Sequence, residues 1–127
     1  MRKVDLSTKE ERKAYVERVG LRLDWEWAPG LPGTVMIYVL IETQAFPVGM
    51  LWMTPVGNMI SIKNIYVVEQ MRGAGVARAM IDFVFDEWEP ECLVTGGGTE
   101  LGEGFMTATG WREQKNGDWK LKPGWRR

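Results

Sequence analysis

The chain has 127 residues, a formal net charge of −1 and 45% hydrophobic residues, which suffices for one core and leaves no charge excess to draw it to nucleic acid or an anionic membrane. Its lone Cys92 excludes an intrachain disulfide and a cysteine-built zinc site, and the absence of histidine removes the usual catalytic base and the commonest metal ligand. Any proton transfer must therefore use other groups. The charged start Met1-Arg2-Lys3-Val4-Asp5 does not read as a signal peptide, and no apolar run approaches the ~20 residues that span a bilayer. The expectation is one cytoplasmic domain over residues 1–127, without repeats or linkers.

In chain order, Ser7-Thr8-Lys9-Glu10 fits a capping box, with Glu10 three residues after the cap, and predicts a helix to about Val19 before Gly20. Leu21 to Trp27 alternates strictly, Leu21, Leu23, Trp25 and Trp27 against Arg22, Asp24 and Glu26, as a strand or extended wall does. After the breaker Ala28-Pro29-Gly30-Leu31-Pro32-Gly33, three consecutive antiparallel strands are expected at Thr34–Glu42, Val48–Thr54 and Met59–Val68.

The helix from Val76 to Trp88 has a narrow polar stripe of Arg78, Asp82, Asp86 and, just beyond it, Glu89, so this helix should be buried over most of its circumference. Pro90 stops it. Cys92–Thr95 is then a short strand, parallel to Met59–Val68 across the crossover helix. Gly96-Gly97-Gly98 leads to another short helix ending before Gly110. Trp111–Gln114 and Trp119–Lys122 close the chain as an Asn116-Gly117 hairpin.

The junction between the third of those strands and the buried helix is the most informative stretch. Val67-Val68-Glu69-Gln70-Met71-Arg72-Gly73-Ala74-Gly75-Val76-Ala77 runs from an apolar strand through a glycine-rich turn into a helix. Such a turn leaves backbone N–H groups unpaired at the positive end of a helix dipole, where a phosphate or pyrophosphate fits. A Walker loop would need Gly-Lys-Ser or Gly-Lys-Thr where Gly75-Val76-Ala77 stands, and a dinucleotide fingerprint would need a small residue where Arg78 stands.

What survives is Arg72-x-x-Gly75-x-Ala77, which resembles the Arg/Gln-x-x-Gly-x-Gly/Ala signature of the GCN5-related N-acetyltransferase (GNAT) superfamily. A second register, Gln70-x-x-Gly73-x-Gly75, fits the bare pattern; Arg72 is preferred because it starts the helix directly after Gly75. Gly104-Phe105-Met106-Thr107-Ala108-Thr109-Gly110-Trp111 resembles the family's second landmark, with Trp111 in place of a phenylalanine, so the resemblance covers about residues 34 to 122.

The resemblance implies an α+β fold with a mixed, mostly antiparallel sheet, a splayed parallel strand pair and helices on both faces. It implies acetyl-CoA as acyl donor, held by Tyr66, Val67, Val68, Arg72, Gly73, Ala74, Gly75, Val76, Ala77, Thr99 and Phe105. The pantetheine arm would fill a gap between Tyr66–Val68 and Leu93–Thr95. The Val67 backbone N–H would steady the oxyanion formed as an amine attacks the thioester directly, a donor effect of ~3 kcal/mol. Many family members carry a tyrosine acid where this chain has Met106, which cannot donate a proton; thiolate, with a thiol pKa near ~8.5, leaves without one. Tyr66, Glu42 and Glu69 are the candidates for proton transfer.

Asp24, Trp25, Glu26 and Trp27 lie where the family builds its acceptor wall, and the two acids would attract a cationic amine; a solvated strand face explains them equally. Trp52, Trp88, Trp111 and Cys92 read as core. The region before Thr34 is shorter than the family's usual two helices, pointing to a small-molecule or peptide amine acceptor or to a partner chain, as in a homodimer, completing the site. The expected activity is therefore acetyl transfer to a primary amine. Two other classes stay open: a non-catalytic CoA-binding or regulatory module, supported by Met106, and a cofactor-free interaction domain.

Overall fold

Alternation over VMIYVL places Val35, Ile37 and Val39 on one side of a strand, and in the computed structural model all three are fully buried. Residues 7–41, 46–95 and 110–125 are described. Among them, seven strands make one sheet: β1 (Arg22–Trp27), β2 (Val35–Leu40), β3 (Gly49–Val56), β4 (Met59–Val67), β5 (Cys92–Thr95), β6 (Arg112–Glu113) and β7 (Trp119–Leu121), in the order β1-β2-β3-β4-β5-β7-β6. Every neighbouring pair is antiparallel except β4 and β5, which are parallel. A parallel pair needs a crossover, and helix α2 (Val76–Trp88) supplies it.

Helix α2 buries Val76, Met80, Ile81 and Val84 against the face that also carries Val39, Gly49 and Leu51. Gly49 lets it come close: a Cβ at that position would lie 2.7 Å from Val76 Cγ1 and 3.1 Å from Met80 Cε. Helix α1 (Lys9–Val19) adds buried Tyr15 to the same core. Its N-cap is Thr8 and not Ser7. The Thr8 Oγ1 accepts from Glu11 N–H at 3.1 Å and donates to Glu11 Oε1 at 2.8 Å, so the cap and its acid both stand one residue later than the sequence pattern suggested. The short helix expected before Gly110, which would cover the second face, lies outside the described residues.

Two departures concern the strand ends. β3 continues through Pro55 to Val56, turning at Gly57-Asn58 with Gly57 at φ 63°. Pro55 pairs with Ile60, and the β2 ladder ends at Met53, so its missing N–H costs no ladder bond. The C-terminal hairpin pairs only Arg112↔Lys120 and Glu113↔Trp119, and Gln114 N–H closes its loop on the Asp118 carbonyl at 2.6 Å. Asn116-Gly117 sits within that longer loop.

An irregularity in β4 sets the facing of its C-terminal half. Trp52 pairs with Asn64 and Met53 with Ile62, leaving Lys63 as an extra residue. The burial phase shifts with it, Ile60 and Ile62 being buried before the bulge and Ile65 after it. Because α2 is seated on Gly49, Gly49→Ala overpacks the helix against the sheet and should destabilise the fold by about 1–3 kcal/mol, read as a lower midpoint in urea denaturation.

Candidate functional site

Pairing between β4 and β5 covers only Met59↔Cys92, Ile60↔Leu93 and Ser61↔Val94. The buried Thr95 hydroxyl still donates to the Ile62 carbonyl at 3.2 Å, and among the described residues no strand pairs with that edge of β4 further on. Leu93–Thr95 are thus not the residues opposite Tyr66–Val68, as the sequence had suggested; they sit beside the earlier half of β4.

Hydrogen-bond parity identifies the groups on the open edge. Val68 N–H donates to the Val48 carbonyl at 3.0 Å, toward β3, so Val67 turns its N–H and C=O the opposite way. Two groups on that edge are already used: Ile65 N–H donates to Asn64 Oδ1 at 2.9 Å, and the Val67 carbonyl accepts from Arg72 Nε at 3.1 Å. The Val67 N–H has no acceptor among the described residues. Tyr66 pairs with Met50 and is 43% exposed on the face away from α2.

The glycine turn begins directly after β4. Glu69–Met71 form a single 3-10 turn, with Glu69 exposed, and Gly73 and Gly75 take φ of 81° and 89°, conformations that side chains disfavour. Not all the expected amides are free. Arg72 N–H donates to the Glu69 carbonyl at 3.2 Å and Ala74 N–H to the Met71 carbonyl at 3.3 Å, because the 3-10 turn and its continuation consume them. Gly73, Gly75, Val76 and Ala77 keep N–H groups without an acceptor among the described residues; the first bond into α2 runs from Ala79 to the Gly75 carbonyl at 3.0 Å, and Gly75 caps the helix with no side chain. Of the expected anion-holding amides four therefore remain, that of Gly73 before the helix and those of Gly75, Val76 and Ala77 at its start; Arg78 N–H, which precedes the first helical bond, is open in the same way among the described residues. Arg72 ties the turn back to β4 through the Val67 carbonyl.

Asn64 and Arg12 were not among the sequence candidates. Arg12 Nη1 donates to the Arg72 carbonyl at 3.0 Å across 60 residues of chain, and Asn64 acts through a bulge; neither has a local signature. Glu42, Thr99, Phe105 and Met106 lie outside the described residues.

Asp24, Trp25, Glu26 and Trp27 cannot line one pocket. They alternate on β1, an edge strand three ladder steps from β4, so about 14 Å of sheet separates them from Val67. Trp25 packs edge-on against Trp88 of α2, with ring centroids 5.2 Å apart, while Trp27 is 62% exposed. Asp24 and Glu26 face the other way, in a row where Asp24 stands opposite Tyr38, Tyr38 opposite Met50 and Met50 opposite Tyr66. Desolvation and the Asp24 and Glu26 carboxylates raise the Tyr38 phenol above its ordinary range, against a lowering by Arg22. A phenol raised on folding stabilises the fold below its ordinary pKa, and that contribution is lost as pH rises through the raised value. Asp24→Asn should shift to lower pH the ultraviolet-monitored ionisation that Tyr38→Phe deletes; an unmoved transition contradicts the assignment.

No protein-family model matches the sequence, and no curated protein matches it either. Solved structures do. YhhK of Escherichia coli, solved bound to coenzyme A, aligns with a TM-score of 0.63 at 17% identity over 81% of this chain and 98% of that one. A GNAT-family acetyltransferase from Staphylococcus aureus Mu50 aligns with a TM-score of 0.59 at 18% identity over 71% of this chain and 68% of that one. Another from Brucella melitensis, in complex with acetyl-CoA, aligns with a TM-score of 0.52 at 14% identity over 71% of this chain and 58% of that one. These likenesses, all under 25% identity, show that the chain has the fold of the GCN5-related N-acetyltransferases, and its own mixed seven-stranded sheet with one parallel pair agrees with that fold.

Proposed function

We propose that the chain transfers an acetyl group from acetyl-CoA to a primary amine. The observation that carries this reading is the succession along one edge of β4: the outward Val67 N–H, then the Arg72 side chain anchored on the Val67 carbonyl, then the amides of Gly73, Gly75, Val76 and Ala77 at the start of α2. Those four amides suit a diphosphate, since unpaired N–H groups at a helix N-terminus favour an anion. Alignment with structures solved with CoA and acetyl-CoA supports the same ligand.

Acetyl-CoA supplies the activated acyl carbon when bound. The residues of the chain do the rest. Val67 N–H donates to the carbonyl oxygen where negative charge develops, and the turn holds the donor so that an amine meets the carbon at short range. The amine adds to the carbonyl carbon to form the C–N bond, the resulting oxyanion collapses as the C–S bond breaks and the sulfur leaves as thiolate, and the ammonium proton passes to the carboxylate of Glu69 or Glu42 or to Tyr66 in its ionised form. Tyr66 and Glu69 are the exposed candidates among the described residues. Among those residues no helix is long and apolar enough to cross a membrane.

CoA at a hundredfold excess over its Kd should raise the unfolding free energy by ~2.7 kcal/mol, measured by thermal or urea denaturation. Gly75→Val should abolish that response. Open space surrounds Gly75, so the cost to the fold itself comes from placing a β-branched residue at φ 89°, about 1–3 kcal/mol. Mass spectrometry of an amine panel incubated with acetyl-CoA should find a product heavier by one acetyl group together with free thiol. Absence of any CoA stabilisation rejects the donor site, whereas CoA binding without thiol release favours a non-catalytic module.

A further inference from the structure

We infer that Lys9, on the N-terminal helix, is a phosphate ligand of the donor site, bringing a full positive charge to the glycine turn from a segment remote in sequence. This rests on the proposed binding of CoA and adds a residue to its site.

Helix α1 reaches the turn at two points one helical turn apart. Arg12 Nη1 donates to the Arg72 carbonyl at 3.0 Å, which fixes the helix against the backbone of the turn. The Lys9 stem lies along Gly73: a Cβ built there would stand 3.1 Å from Lys9 Cγ, 3.4 Å from Cδ and 3.5 Å from Cε. Because those three carbons run beside Gly73, the ammonium one bond beyond Cε is within reach of the turn. Positions 9 and 12 share a helix face, so Arg12 docking and Lys9 placement are one event. The open amides offer only partial charges, the two guanidinium groups at the turn are each engaged with a carbonyl, Arg72 Nε with that of Val67 and Arg12 Nη1 with that of Arg72, and a net charge of −1 means that the chain as a whole does not attract an anion. A cation laid over Gly73 supplies the attraction locally. The contact lies beside the turn, so the phosphates engaged are those of the diphosphate.

Calorimetric titration of CoA into the full chain tests this, comparing wild type with Lys9→Met, which keeps the aliphatic stem over Gly73, and with Lys9→Arg. Lys9→Met should weaken CoA about fivefold at low salt, the size an exposed ion pair supports, and Lys9→Arg should restore most of it. The difference between wild type and Lys9→Met should vanish at about 1 M salt, where the screening length falls to ~3 Å. With dephospho-CoA as probe, an unchanged ratio assigns Lys9 to the diphosphate, while a ratio collapsing to one moves its contact to the 3′-phosphate and overturns the diphosphate assignment. Wild-type affinity in Lys9→Met, or a loss equal at low and high salt, overturns a charge role for Lys9. A wild type that does not bind CoA at all is the different failure, that of the donor reading itself.

Discussion

β5 parts from β4 after Ser61, and the candidate site depends on the edge this exposes. A strand edge inside a sheet is costly because its N–H and C=O groups need partners. Here the edge is managed group by group. Thr95 takes the Ile62 carbonyl, Asn64 takes the Ile65 N–H and Arg72 takes the Val67 carbonyl. The Val67 N–H stands out as the donor on that edge for which the described residues offer no acceptor. A group left open amid neighbours capped by side chains suits recognition of a ligand carbonyl.

The bulge at Lys63 and the close approach of α2 decide where that donor points. By adding one residue, the bulge reverses the phase of β4, so that Ile65 is buried and Val67 lies on the same face while its amide turns to the edge. Seated on Gly49 through Val76 and Met80, α2 begins directly beside the end of β4. The positive end of its dipole and the open edge are thereby brought together by packing, and the Arg72 side chain ties one to the other by hydrogen bond.

The acceptor side obeys a different rule. Alternation on β1 sends the two tryptophans toward α2 and the two acids to the opposite face, where Asp24 begins a row leading through Tyr38 and Met50 to Tyr66. A set contiguous in sequence is therefore split between two environments, an aromatic cluster with Trp88 and a polar row with Tyr38. Of these, only the row shares a face with the exposed side chain of Tyr66.

Much of this was legible in the residues themselves. The period of two in VMIYVL, the apolar breadth of the 76–88 helix, the positive-φ glycines of the turn and the separation of Cys92–Thr95 from β4 by a helix are local patterns, and local patterns encode faces, turns and element order. The chain's own chemistry also set what it could not use, since histidine is absent and its one cysteine is buried. Tertiary structure alone decided the rest: which of two adjacent hydroxyl residues caps α1, that β5 stands beside Ile60 and not Tyr66, that Arg72 and Ala74 spend their amides internally, and that Lys9 and Arg12 arrive at the turn. The β5 register and the arrival of Lys9 and Arg12 depend on contacts between segments remote in sequence, while the cap and the spent amides depend on the backbone path of a single turn, and periodicity within a segment contains neither.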